Sequence, residues 1–193
     1  MTPEEFKERY LEGMKSGFSA APEDVQVKLL EQFSQFMTYP VELLQRSSLS
    51  PEDVDFLSRT GLPQSAAPAL NFRNLYEPFP EFETHPQFKD HFLIGSASNN
   101  RLLAISKESG EVLCFDPAER VIILVNDSLE KFAECLCLFQ EYRDRNEMDV
   151  CLEAMAEVDP LLMEYESFWE DETRNFFEKV AELLNEAARR KNQ

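Results

Sequence analysis

The sequence predicts an α+β fold in which an antiparallel sheet of about four to six strands is wrapped by N-terminal and C-terminal helices. Three observations lead there. Between His91 and Val125, four short apolar runs are separated by turn residues, which is the spacing of a strand meander. The meander runs directly into a segment with apolar residues at helical spacing, ending near Arg145. On either side, apolar residues recur every three or four positions between helix-start and helix-stop signals. A chain of 193 residues can bury a core without disulfides or metals. The expected organisation is one domain over 1–193, with N-terminal helices over about 2–60, sheet and core helix over about 61–145, and an acidic helical part over about 146–193.

The first helix starts at Thr2-Pro3-Glu4-Glu5, with Thr2 as cap, Pro3 at the first helical position and acids at the positive end of the dipole. Phe6, Tyr10 and Met14 form its apolar line. A second helix begins near Ala21-Pro22-Glu23-Asp24, with Val25, Leu29, Leu30, Phe33, Phe36 and Met37 as the buried stripe. Tyr39-Pro40 stops it, because the residue before proline is pushed out of helical geometry. Ser50 caps a third helix that points Val54 and Leu57 inward and ends at Gly61, a position that suits a left-handed cap.

Pro68–Phe72 reads as a short strand. Residues 73–90 hold three prolines and four aromatics without a period, and two readings stay open: a binding rim, or a connector whose aromatics plug the core. The meander then comprises His91–Gly95, Arg101–Ser106, Glu111–Phe115 and Val121–Val125. Gly110 is available for a positive-φ hairpin position. Val121–Val125 is apolar on both faces, which predicts a central strand sandwiched between layers.

Asn126-Asp127-Ser128 offers caps for the core helix. Leu129, Phe132, Ala133, Leu136 and Phe139 fall within one arc, and Glu130, Lys131, Glu134 and Glu141 take the solvent side. Each of those five apolar side chains contributes about 1.5–3 kcal/mol when buried, before entropy is counted. Farther on, Asp149–Val158 makes a short helix with Val150, Leu152 (or Cys151), Ala154 and Met155 as its apolar residues, and Asp159-Pro160 starts another. That last pattern fits either one long helix or two with a break near Glu170–Thr173.

Acids outnumber bases 37 to 19, giving a net charge of −18. Such a surface repels nucleic acid and anionic membrane and steers towards a basic partner, although solubility alone also accounts for it. No export signal opens the chain, no apolar stretch is long enough to span a membrane, and the four cysteines are expected as reduced thiols. These features point to the cytoplasm.

Little in the sequence promises catalysis. His85 and His91 stand outside any nucleophile pattern, and there is no G-x-S-x-G, P-loop or dinucleotide fingerprint. Cys135 and Cys137, two positions apart on a helix, point about 200° away from each other and cannot share an ion. No catalytic, cofactor-binding or metal-binding residue is therefore assigned, and no cofactor is expected. One feature remains: Glu164, Glu166, Glu170, Asp171 and Glu172 surround Phe168-Trp169. A solvated face explains such a run, and so does a docking site for a basic protein with an aromatic anchor. With Tyr76, Glu77 and Glu81 of the preceding loop, these are the candidate partner-binding residues.

Several short patterns resemble the SUKH superfamily, in particular its fourth immunity-protein subfamily. They are Gly61-Leu62-Pro63, the FLIG strand at 92–95, AISKESGEV at 104–112, the Asn126/Ser128/Leu129/Phe132 junction within 121–139, and Asp159-Pro160 followed by Ser167-Phe168-Trp169. Together they cover about residues 50–170; the turn at Ser96–Asn100 departs from the family, which often has glycines there. The resemblance implies a compact α+β domain without enzymatic activity. It implies a bacterial protein of a polymorphic toxin system that binds and neutralises a cognate toxin effector domain of nuclease or deaminase type. The partner would be a basic toxin domain or another protein, and the oligomeric state, monomer or weak dimer, stays open. Because the superfamily includes regulatory and scaffold proteins, an adaptor for an endogenous partner is the alternative.

Overall fold

The computed structural model describes residues 1–19, 21–66, 68–72, 88–143, 148–163 and 168–191. The N-terminal elements are α1 (Pro3–Gly17), α2 (Glu23–Phe33), β1 (Phe36–Met37), α3 (Val41–Gln45) and α4 (Pro51–Arg59), followed by β2 (Leu62–Pro63), β3 (Ser65–Ala66) and β4 (Leu70–Asn71). The meander is β5 (His91–Ser96), β6 (Leu102–Ser106), β7 (Val112–Asp116) and β8 (Val121–Asn126). Then come α5 (Leu129–Tyr142), α6 (Met148–Val158), a 3-10 turn at Pro160–Met163 and α7 (Phe168–Lys191). Six strands form one antiparallel sheet in the order β3-β4-β5-β6-β7-β8, and β1 pairs with β2 in a separate ribbon. The α+β class and the wrapping by helices agree with the sequence prediction.

Local chemistry explains the boundaries. Thr2 and Glu5 form a reciprocal capping box on α1, and Ser50 and Ser128 cap α4 and α5. Gly61 has φ +69, and a Cβ there would lie 1.8 Å from the Met37 carbonyl oxygen, so only glycine lets β2 approach β1. Gly110 takes the positive φ expected of the β6–β7 hairpin.

Strand alternation gives the sheet two unequal faces. Ile94, Leu103, Ile105, Val112, Cys114 and Val125 face the main core. Leu93, Leu102, Ala104 and Phe115 face the other way, around Phe88, whose ring centroid lies 4.3 Å from that of Phe115. On the core side α5 packs against β8, α1 and α6. Phenylalanines supply much of this interior: Phe132 bridges Phe72 (5.9 Å) and Trp169 (5.8 Å), while Phe6 meets Phe36 and Phe56.

Five expectations need correction. Phe36 and Met37 are not the end of α2 but a strand, because β2 offers them ladder partners. Val25, placed on the buried stripe of α2, is exposed, and Leu29, Leu30 and Phe33 are only half-buried. Helix α3 was not anticipated; five residues are too few to display a period. In α6 the fully buried positions are Cys151 and Met155, whereas Val150 is exposed. Lastly, among the described residues β8 is an edge strand, with Val121 and Ile122 exposed by 42% and 39%.

The end of the chain resolves the one-helix or two-helix alternative. α7 runs unbroken through Glu170–Thr173, and the change of geometry comes earlier, at the 3-10 turn Pro160–Met163. Most of the aromatic loop, residues 73–87, lies outside the described residues.

Candidate functional surface

The proposed partner-binding residues separate into three groups. Tyr76, Glu77, Glu81, Glu164 and Glu166 lie outside the described residues, as does His85. Phe168, Trp169 and Glu172 are buried, with 1%, 0% and 0% exposure, so they anchor α7 rather than a partner. Glu170 is exposed and Asp171 half-buried, and both pair with Arg174 on their own helix, at 3.2 and 3.4 Å. Of the expected patch, only Glu170 and Asp171 remain on the described surface.

The reason lies in two buried polar networks. In the first, the Arg101 guanidinium pairs with Glu172 Oε1, which also accepts from the Ser98 hydroxyl at 2.6 Å. Arg101 lies 5.4 Å over the Phe168 ring. Burial works against the Arg101 charge, but the hydrogen bond and charge of Glu172 outweigh it, and the pKa is raised. In the second, buried Asp159 accepts through Oδ2 from Asn126 Nδ2 (3.1 Å) and the Asp127 backbone N–H (2.9 Å), with Lys131 Nζ 3.6 Å from Oδ1. The Trp169 indole N–H donates to Asn126 Oδ1 at 3.1 Å.

These contacts give the sequence motifs a physical meaning. Asn126 at the end of β8, Asp159 before the 3-10 turn and Trp169 at the start of α7 are far apart in sequence and join in one network. The hydrogen bonds of that network tie the turn and the start of α7 to the end of β8. Neither network is legible as such in the sequence alone. One signal was available: Phe168, Glu172 and Phe176 are spaced by four, which places Glu172 on the apolar side of its helix.

The cysteines behave as core residues. All four are free and buried, and burial pushes each thiol up to about 12. Cys135 meets Asn126 on one side of α5, and Cys137 faces the Phe6 carbonyl on the other. Among the described residues no group of three or more His, Cys, Asp or Glu could hold a metal ion. His91 sits in β5 against the ring of Phe88. A cavity of about 240 Å³ between α1, α2 and α5 is walled by Tyr10, Phe18, Phe33 and Phe176, and neither His91 nor a cysteine lines it.

What the surface does offer is negative charge on several sides. Glu4, Glu8 and Glu12 are exposed at spacing four along α1, as are Asp149, Glu153 and Glu157 along α6. No helix among the described residues is long and apolar enough to cross a membrane.

No curated protein and no solved structure matches the chain. The family model of the SUKH-4 immunity protein matches residues 25–179, from α2 to the middle of α7, and so includes the whole sheet, α5 and both networks. The chain therefore belongs to the SUKH-4 immunity protein family, whose name implies toxin immunity by binding.

Proposed function

We propose that the protein is a cytoplasmic immunity protein that binds the effector domain of a cognate bacterial toxin, of nuclease or deaminase type, and blocks it. Family membership supplies the class of function, and the net charge of −18 is the observation that favours this kind of partner. Enzymes acting on nucleic acid present basic clefts, and an acidic inhibitor is steered towards them and competes with the substrate. Exposed acids on α1, α6 and the start of α7 lie on surface that the fold does not need for its core.

Co-expression with the effector domain encoded beside it tests the reading. Growth should be restored, and purified protein should inhibit the isolated effector at stoichiometric concentration. Continued killing in the presence of soluble, folded protein would refute it.

A further inference from the structure

We propose that the open half of β8, Val121–Ile123, is a docking edge to which an extended segment of the basic toxin domain adds a strand. The inference rests on the immunity reading and names the surface that reading would use. Among the described residues β8 pairs with β7 alone, in the register Cys114↔Ile123, Phe115↔Ile122 and Asp116↔Val121. Its two ends differ sharply. Val125 and Asn126 are fully buried where the 3-10 turn and α7 contact the strand, whereas Val121 and Ile122 are exposed.

Natural sheets protect an open edge with lysine, proline, a bulge or a covering element. Among the described residues the open half of β8 has none of these. Residues 121–126 read Val-Ile-Ile-Leu-Val-Asn, without lysine or proline. The bulge between β7 and β8 lies at Val112/Leu113, towards the covered end. The sequence is that of a strand apolar on both faces, the pattern of an interior strand, yet the strand stands at the edge of the sheet. A strand from a partner would make β8 interior.

Charge decides between occupants. A second copy would bring another −18 to the same edge. Beside the open half stand Asp116 and exposed Glu119, with Arg120 as the adjacent cation. A basic extended segment gains main-chain hydrogen bonds from the strand and attraction from the molecule as a whole.

Residue-resolved hydrogen exchange on the intact protein, with and without the cognate effector domain, tests this. In an antiparallel strand alternate N–H groups point to opposite neighbours, so the complex should slow exchange at alternate residues within 121–124. The double substitution Val121→Lys/Ile122→Lys should weaken binding by at least ~10-fold while the cooperative fold is retained, since neither side chain belongs to the buried core. A complex that forms without slowing these amides, or that binds the double variant as tightly as wild type, overturns the proposal. Slowing that appears on raising the protein concentration alone would assign the edge to a second copy and overturn it too. If the effector neither binds nor is inhibited, the immunity reading fails, and this inference with it.

Discussion

Helices α1 and α7 are both held against the centre of the molecule, by opposite chemistry. α1 packs on α5 through Phe6, Tyr10 and Met14, all at most 1% exposed, and keeps its charges at the rim: Arg9 pairs with Glu141 (2.7 Å) and Glu134 (3.3 Å). α7 packs with polar groups inside, through the Glu172–Arg101 ion pair and the hydrogen bond from Trp169 to Asn126. An apolar seam tolerates small shifts and is set by area, whereas a buried ion pair permits one placement and penalises any other. The contrast separates the helix that mainly adds core from the helix whose position is specified.

The largest expected effect tests whether the α7 pair specifies position or supplies stability. Glu172→Ala leaves the Arg101 charge buried and unpaired and should cost about 3–5 kcal/mol, read as a lower denaturant midpoint. Replacing both partners, with Arg101→Met and Glu172→Leu, should recover most of that loss. Glu172 Oε2 and Arg101 Nε have no hydrogen-bond partner among the described residues, so the pair is incompletely compensated for lost water. If the double variant is as unstable as Glu172→Ala, the pair is a net source of stability and the contrast with α1 fails.

A smaller effect is common to both regions. Cys137 lies beneath α1 and Cys114 beside Arg101, and burial pushes both thiols up to about 12, from 9.0. In the unfolded chain a thiol ionises near its ordinary value; in the folded protein it ionises only near 12. The unfolded state therefore loses protons first as pH rises. The stability these groups confer is complete below about pH 9 and declines towards pH 12, by up to about 1.4 kcal/mol per pH unit for each thiol. Denaturant midpoints should fall between about pH 8 and about pH 10.5. Cys137→Ala should flatten that fall by one thiol's share, and an unaltered slope would mean that Cys137 meets solvent in the folded state.

The same contrast explains how much the sequence could reveal. The α1 line, the α5 arc and the four meander strands were legible because apolar burial leaves a period in the sequence. The α7 network left almost none. Glu170, Asp171 and Glu172 are consecutive acids, and only the spacing of Glu172 from Phe168 and Phe176 hints that the third is a core residue while the first two stay at the surface. Phe168 and Trp169 read as an anchor on an acidic patch because their neighbours in sequence are acids, whereas the buried Arg101 that pairs with Glu172 stands some seventy positions earlier. β8 failed for a related reason: alternation reports which faces are apolar, not how many neighbours a strand has. The candidate site was less legible than the fold, since a run of acids has the same sequence pattern whether it is solvated, buried or bound.

The smallest effect tests the other side of the contrast. The Arg9 guanidinium is raised in pKa chiefly by its hydrogen bond to Glu141, yet its side chain and both carboxylate partners remain about one-third exposed. Water and salt screen such pairs, so Arg9→Ala should cost only about 0.2–1 kcal/mol, and less at high ionic strength. The apolar contacts of Phe6, Tyr10 and Met14 survive that change, so α1 should stay docked, with ring-current-shifted resonances of Phe6 and Tyr10 retained. A loss of several kcal/mol, or the disappearance of those shifts, would show that the rim charges place α1 as firmly as the buried pair places α7. The two helices would then differ in exposure but not in principle.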